Sequence, residues 1–206
     1  MSCFNARFYI ASACWISPQY YNSIDVLKKE FKISTLAGSK YINSAKGHLF
    51  RQTIHHQQNT LKEYPIVFFR SSVQIPRIMD YGNNPLLTTK DELFDTFQFA
   101  IIIENSEQRN YFTEKLIDCL ITKTIPIYYG CPNIHQFFDT TGWIILESDD
   151  ISILESKLLV LDSLYYAKYN DIIEKNFIKA KEYSNFYKNV DCSISREEYI
   201  YRIVYS

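Results

Sequence analysis

The residues best suited to chemistry lie in one short stretch. Glu104 and Asn105 stand directly after the apolar run Phe97 to Ile103, and Tyr111, Thr113, Glu114 and Lys115 follow across a polar loop. From Thr113 the apolar period changes, with Leu116, Ile117, Leu120 and Ile121 on one helical face. Glu114 and Lys115 therefore fall in the first turn of a helix, where free backbone N–H groups and the helix dipole favour anions. A lysine is disfavoured there unless an anion comes with it, so the functional reading is phosphate contact and the plain one a solvated surface lysine. Glu114 reads as an acceptor for two ribose hydroxyls or as a first-turn acid. Asn105 offers a donor–acceptor edge or a strand-end turn. Tyr111 offers a stacking face, or is one more half-buried tyrosine in a chain with 17. Glu104 either orients a sugar or leaving group or accepts backbone N–H bonds.

A second group is Gly47-His48-Leu49-Phe50-Arg51. His48 and Arg51 sit at a predicted helix start with the spacing that shares a face. They either add positive charge to an anion site or form a solvated helix face. His55 and His56 read as surface residues, and no histidine–carboxylate spacing suggests a metal site. Cys3, Cys14, Cys119, Cys131 and Cys192 are odd in number and free of any Cys-x-x-Cys pair. That pattern argues against a disulfide scaffold and fits a reducing compartment. Cys119 reads as core packing, and Cys131 as a thiol after a strand end with no adjacent base to activate it.

The elements that must hold these residues follow from the apolar pattern. Phe97 to Ile103 is a strand covered on both faces, and Ile125 to Tyr129 is another, closed by Gly130-Cys131-Pro132. With the helix between them they form a strand–helix–strand unit, whose ligand side is the carboxyl end of the strands. Upstream, the pattern predicts strands at Arg7–Ala13, Ile33–Ala37 and Tyr64–Phe69, and helices at Tyr20–Phe31 and Leu49–Leu61. Polar loops span Gly38–Gly47 and Arg70–Thr88, the second long enough to suggest a functional role. Thr89 and Glu92 form a capping box opening a helix that leads into Phe97. Downstream, Gly142–Leu146 is a short strand, Asp149 or Asp150 caps the next helix, and the chain is helical from Ile151 almost to its end. A tyrosine-rich segment, Arg196–Val204, closes it. The fold class is α/β, a Rossmann-like parallel sheet with flanking helices and a helical carboxyl-terminal tail. Residues 1–150 form the α/β domain, and residues 151–206 are helices packing on the same domain.

Composition narrows the partners. The chain has 206 residues, 47% of them hydrophobic, with a formal net charge of -1. That balance gives no electrostatic case for nucleic acid or an anionic membrane. No window approaches the apolar length of a transmembrane helix. The amino terminus lacks a charged region followed by an apolar one, so no signal peptide is expected.

Taken in order, Ile103-Glu104-Asn105-Ser106, Tyr111-Phe112-Thr113-Glu114-Lys115, Leu116-Ile117-Asp118 and Pro126-Ile127-Tyr128-Tyr129-Gly130 carry a specific pattern. It resembles the nucleotide-sugar signature of the alpha-1,3-fucosyltransferase family, glycosyltransferase family ten. Departures are small: Ile103 for phenylalanine, Phe112 for valine and Tyr129 for tryptophan. The resemblance implies the donor half of a two-domain GT-B glycosyltransferase and inverting transfer of fucose from GDP-fucose to a glycan hydroxyl. It implies contact of Asn105, Tyr111, Glu114 and Lys115 with the guanosine diphosphate, and no cofactor beyond the donor. Family enzymes also use an arginine on the loop and helix after the first strand of this domain. The corresponding place, Pro18 to Asp25, holds none, so Arg51 and His48 are taken as the substitute, with Glu104 the third candidate catalytic residue.

The family's general base comes from an amino-terminal acceptor domain. The first ninety residues here offer only Asp25, Glu30, Glu63 and Asp80, so no base is assigned, and it stays open that another chain supplies that domain. The resemblance is to the soluble bacterial or viral type, which implies a cytoplasmic protein. Two other readings stand beside the enzyme. One is a nucleotide-sugar-binding module or degenerate transferase without acceptor chemistry; the other is an interaction protein on a Rossmann scaffold.

Overall fold

The computed structural model describes residues 13–38, 45–71 and 84–184. Strands β1 (Glu30–Ala37), β2 (Ile66–Arg70), β3 (Phe97–Ile103), β4 (Ile125–Tyr129) and β5 (Ile144–Ile145) form one sheet in the order β2-β1-β3-β4-β5. Every pairing is parallel, so each connection must cross over the sheet. Helix α2 (Lys46–His56) crosses between β1 and β2, and α3 (Glu114–Ile121) between β3 and β4. The chain runs outward from β1 to β2, then returns past β1 to β3 and continues the other way. The order therefore reverses between β1 and β3, where doubly wound sheets open a crevice at the carboxyl ends.

Strand β3 is apolar at nearly every position because both of its faces are covered. Phe99, Ile101 and Ile103 pack in one layer with Phe50 and Ile54 of α2 and with Leu154 and Leu158 of α4 (Ile151–Leu158). Ala100 and Ile102 pack in the other, with Leu116, Ile117 and Leu120 of α3 and Ala180 of α6 (Asn170–Tyr183). The alternation is the period-2 geometry of a strand.

The helix expected over Tyr20–Phe31 does not form. A short α1 (Pro18–Tyr21), capped by the Ser17 side chain, stops at Asn22, and Asp25 then accepts the N–H of Leu27 to start a single 3-10 turn. The apolar spacing misleads because Leu27 is 91% exposed, while Phe31 lies in β1 with its ring edge-on to Phe99. Thr89 and Glu92 likewise open only a 3-10 turn, Lys90–Leu93. Glu92 accepts from the Thr88 N–H and the Thr89 hydroxyl, and no side chain caps the turn.

Past Ile151 the expected continuous helix is broken into α4, α5 (Tyr165–Lys168) and α6, with Asp150 as the first cap. Asp162 Oδ1 accepts the N–H groups of Leu164 and Tyr165, restarting the helix there. His55 is buried rather than on the surface, its ring edge-on to Phe68, and Cys131 is buried with its thiol donating to Asn133. Residues 7–12 of the first expected strand, 39–44 and 72–83 of the two loops, and Arg196–Val204 lie outside the described residues. No helix among the described residues is long and apolar enough to cross a membrane.

At the amino end of the sheet a buried lysine fastens the elements together. Lys29 Nζ donates to the carbonyls of Phe94 (2.6 Å) and Phe97 (3.1 Å) and to Thr124 Oγ1 (2.9 Å). Three acceptors compensate its loss of water, yet burial still lowers its pKa to about 7.

Candidate functional site

At the carboxyl ends of β1 and β3 the switch point opens into a cavity of about 410 Å³. Its floor is apolar, built from β1 and β3 residues such as Leu36, Ala100 and Ile102, and its polar lining includes His48, Arg51, Asn105, Glu114 and Lys115. Residues that stand far apart in the chain thus share one crevice, because α2 and α3 both begin where the strands end.

Glu104 builds the frame of this site. It is fully buried, and its Oε1 accepts the Thr113 N–H at 2.8 Å while Oε2 accepts the Thr113 hydroxyl at 2.7 Å. Thr113 is the N-cap of α3 and accepts in turn from the Lys115 N–H. Burial pushes the Glu104 carboxyl above its ordinary value, against the opposing pull of Lys115 and the Thr113 hydrogen bonds. Both oxygens accept from Thr113, one of them from its backbone N–H, which is the second of the two readings that a carboxylate at a strand end offers.

Two glycines make this packing possible. A Cβ at Gly47 would lie 1.7 Å from the Glu104 carbonyl oxygen, and one at Gly130 would lie 2.6 Å from Glu104 Cγ. Gly47 therefore lets the start of α2 rest directly on the end of β3, where its N–H donates to the Asn105 carbonyl at 3.1 Å. Between Asn105 and Thr113 the loop is held by Asn110, whose φ of 62° suits an asparagine. Asn133 receives the Asn110 N–H at 2.9 Å and donates to its side chain at 2.6 Å.

Arg51 and His48 do lie on one face, with Arg51 Nη2 3.1 Å from His48 Nδ1. The same nitrogen donates to Asn105 Oδ1 at 2.8 Å, and Nη1 donates to the Ile103 carbonyl. Burial disfavours the charge of Arg51, while Glu104, Tyr111 and Glu114 favour it. Arg51 stands on α2, the helix that follows β1, the first strand among the described residues. On the α3 side, Lys115 Nζ donates to Glu114 Oε1 at 3.0 Å and to Thr113 Oγ1 at 3.1 Å. Partial burial raises the Glu114 carboxyl, but Lys115, a backbone hydrogen bond and Lys90 together outweigh it, and the carboxyl sits below its ordinary value.

Tyr111 is not among the residues lining the cavity. Its phenol is half-buried, and burial together with the Glu104 and Glu114 carboxylates raises its pKa. Three residues of the wall were missed in the sequence: Trp15, Lys90 and, behind them, Asp118. The Asp118 side chain is fully buried in α3 and accepts the Trp15 N–H at 2.8 Å. A lone acid among the apolar residues Leu116 to Ile121 was the available signal. Among the described residues no three His, Cys, Asp or Glu gather as metal ligands.

Comparisons with known proteins converge on one group. The family described as Glycosyltransferase family 10 (fucosyltransferase) C-term matches residues 77–194. The alpha-(1,3)-fucosyltransferase FucT of Helicobacter pylori is 34% identical over 55 residues, which are 27% of this chain and 12% of that protein. A crystal structure of an alpha1,3-fucosyltransferase with GDP superposes with a TM-score of 0.51 at 21% identity, covering 82% of this chain and 47% of the other. The same comparison with a GDP-fucose complex gives 0.50, 20%, 82% and 49%. A TarM of S. aureus bound to fondaparinux, alpha-GlcNAc-glycerol and UDP gives 0.55 at 13% identity, covering 98% of this chain and 41% of that one. At such identities the structural likeness is one of fold. The chain spans less than half the length of these relatives.

Proposed function

The chain belongs to glycosyltransferase family 10, the fucosyltransferases, and on that premise we propose that it binds GDP-fucose and supports inverting transfer of fucose to a glycan hydroxyl. The observation that carries the proposal is the gathering of Arg51, Asn105, Glu114 and Lys115 around one cavity at the sheet's switch point. A nucleoside diphosphate sugar needs cations for its diphosphate and an acceptor for its ribose hydroxyls. Lys115, at the amino terminus of α3, and Arg51 take the diphosphate. Asn105 adds an amide, and Glu114 accepts from the ribose. Tyr111, outside the cavity lining, is left without a contact to the nucleotide. His48 supports the guanidinium of Arg51, and Glu104 holds the loop and the helix terminus in register.

In the reaction, the acceptor oxygen forms a bond to the anomeric carbon as the bond to the diphosphate breaks. Negative charge grows on the departing GDP, where fixed cations are most effective. The acceptor's proton goes to a general base. Among the described residues lining the cavity the only carboxylate is Glu114, already paired with Lys115, so we expect the base from outside this lining. The same observation favours a second reading, in which this stretch by itself binds the donor without turning it over.

Thermal shifts with GDP, UDP and ADP test the proposal, since a ligand that binds only the folded state stabilises it. GDP is expected to raise the melting temperature most. Equal shifts for all three would overturn the guanine assignment, and no shift would overturn nucleotide binding. Donor turnover measured beside GDP-fucose affinity separates the transferase from the binding module.

A further inference from the structure

The cavity has a wall that the reading above leaves without a task. Trp15 is 68% exposed, yet its backbone is held by a fully buried carboxylate. Asp118 Oδ1 accepts the N–H of Trp15 at 2.8 Å and that of Ile16 at 3.4 Å. The other oxygen, Oδ2, has no hydrogen-bond partner among the described residues and lies 3.8 Å from Lys90 Nζ. That ammonium in turn lies 4.9 Å from the centre of the Trp15 ring. Both Trp15 and Lys90 line the cavity. For stability alone, an apolar residue at position 118 would serve α3 as well as a buried charge or better. What Asp118 achieves is to tether the backbone of Trp15 and draw the Lys90 ammonium over one face of the indole.

We propose that Trp15 and Lys90, positioned by Asp118, form the nucleobase subsite of this cavity and select guanine. The proposal rests on the GDP-sugar reading and adds to it the residues that read the base. Guanine carries two acceptors, N7 and O6, on one edge, whereas adenine replaces O6 with an amino donor. An ammonium offers donors only, so it favours the guanine edge and disfavours that of adenine. The indole face turned away from Lys90 supplies the stacking surface, which accepts any base. Of the other polar residues lining the cavity, Arg51, Asn105, Glu114 and Lys115 are given to the diphosphate and ribose, and Ser34, Thr35, His48 and Ser71 carry no formal charge to match that of Lys90.

Calorimetric binding of GDP, IDP and ADP to wild-type, Lys90→Met and Trp15→Ala proteins tests this. IDP keeps both acceptors of the guanine edge. Lys90→Met is expected to weaken GDP and IDP about tenfold and ADP less than twofold, while Trp15→Ala weakens all three by a similar factor. Retained ADP affinity certifies that the variant is folded. Equal losses for GDP and ADP in Lys90→Met would assign the ammonium to the diphosphate and overturn the proposal, as would unchanged GDP affinity. A second measurement needs no variant: 2-aminopurine riboside diphosphate, which lacks O6, should bind wild-type protein about tenfold more weakly than GDP. Equal affinities there would overturn the proposal too. Failure of wild-type protein to bind GDP at all would instead remove the family reading beneath it.

Discussion

Replacing Lys29 by methionine should change how stability depends on pH, and the size of the change follows from the burial of one ammonium. Folding moves the Lys29 pKa from 10.5 to about 7. Below pH 7 the lysine is charged in both folded and unfolded states, and the folded state bears the full cost of burying that charge. Above pH 10.5 it is neutral in both, and the cost is gone. Between these limits the unfolded chain binds the extra proton, so wild-type stability rises with pH by about 1.4 kcal/mol per pH unit from this group.

Lys29→Met removes that proton and also leaves the carbonyls of Phe94 and Phe97 without their shared donor. The variant should therefore be less stable throughout, with a pH profile missing this slope. Titrating groups remote from Lys29, the buried Tyr128 among them, contribute to both proteins and largely cancel in the difference. Urea denaturation followed by circular dichroism at pH 7.5 and 9.5, in reductant, should show the wild-type advantage growing by about 2–3 kcal/mol. Profiles that stay parallel to within about 0.5 kcal/mol, well under the slope expected from linkage, would refute a charged, buried Lys29.

Lys115→Ala is expected to weaken GDP by about tenfold or more, the loss of a charge-assisted contact, and to leave guanosine unchanged in calorimetry. The melting temperature should barely move. Arg51→Ala should lower donor turnover about tenfold or more, with a smaller change in GDP affinity, because charge on the leaving group grows in the transition state. It should also cost roughly 1–3 kcal/mol of stability by urea titration, since the carbonyl of Ile103 and the amide of Asn105 lose their donor. Gly47→Ala forces a methyl group into the Glu104 carbonyl. About 3 kcal/mol of lost stability is expected from such overpacking, together with weaker GDP binding as α2 lifts from β3, both read by thermal shift with and without nucleotide.

The parts of this protein that were legible in its sequence are those where local pattern and tertiary demand coincide. Strand β3 had to be covered on both faces because it is apolar at both parities. A helix had to start near Thr113 because the apolar period changes there. Those two facts, with Asn105, Glu114 and Lys115 attached to them, located the ligand side of the sheet.

What only the tertiary structure decided concerns contacts between distant segments. The spacing of Ile24, Leu27 and Phe31 is helical on paper, but pairing of β1 with both β2 and β3 recruits Phe31 into a strand and leaves Leu27 in water. Between the two tasks open to Glu104 in the sequence, only the tertiary contact with Thr113 shows which hydrogen bonds its oxygens accept. Arg51 acquired its place because Gly47 lets α2 settle on the end of β3, an approach that leaves no trace in periodicity. Trp15, Lys90 and Asp118 meet across more than a hundred residues of chain, as the bond from Trp15 to Asp118 shows with its separation of 103. Local propensity senses neighbours a few positions away, whereas a binding site is a set of side chains brought together by sheet order and helix docking.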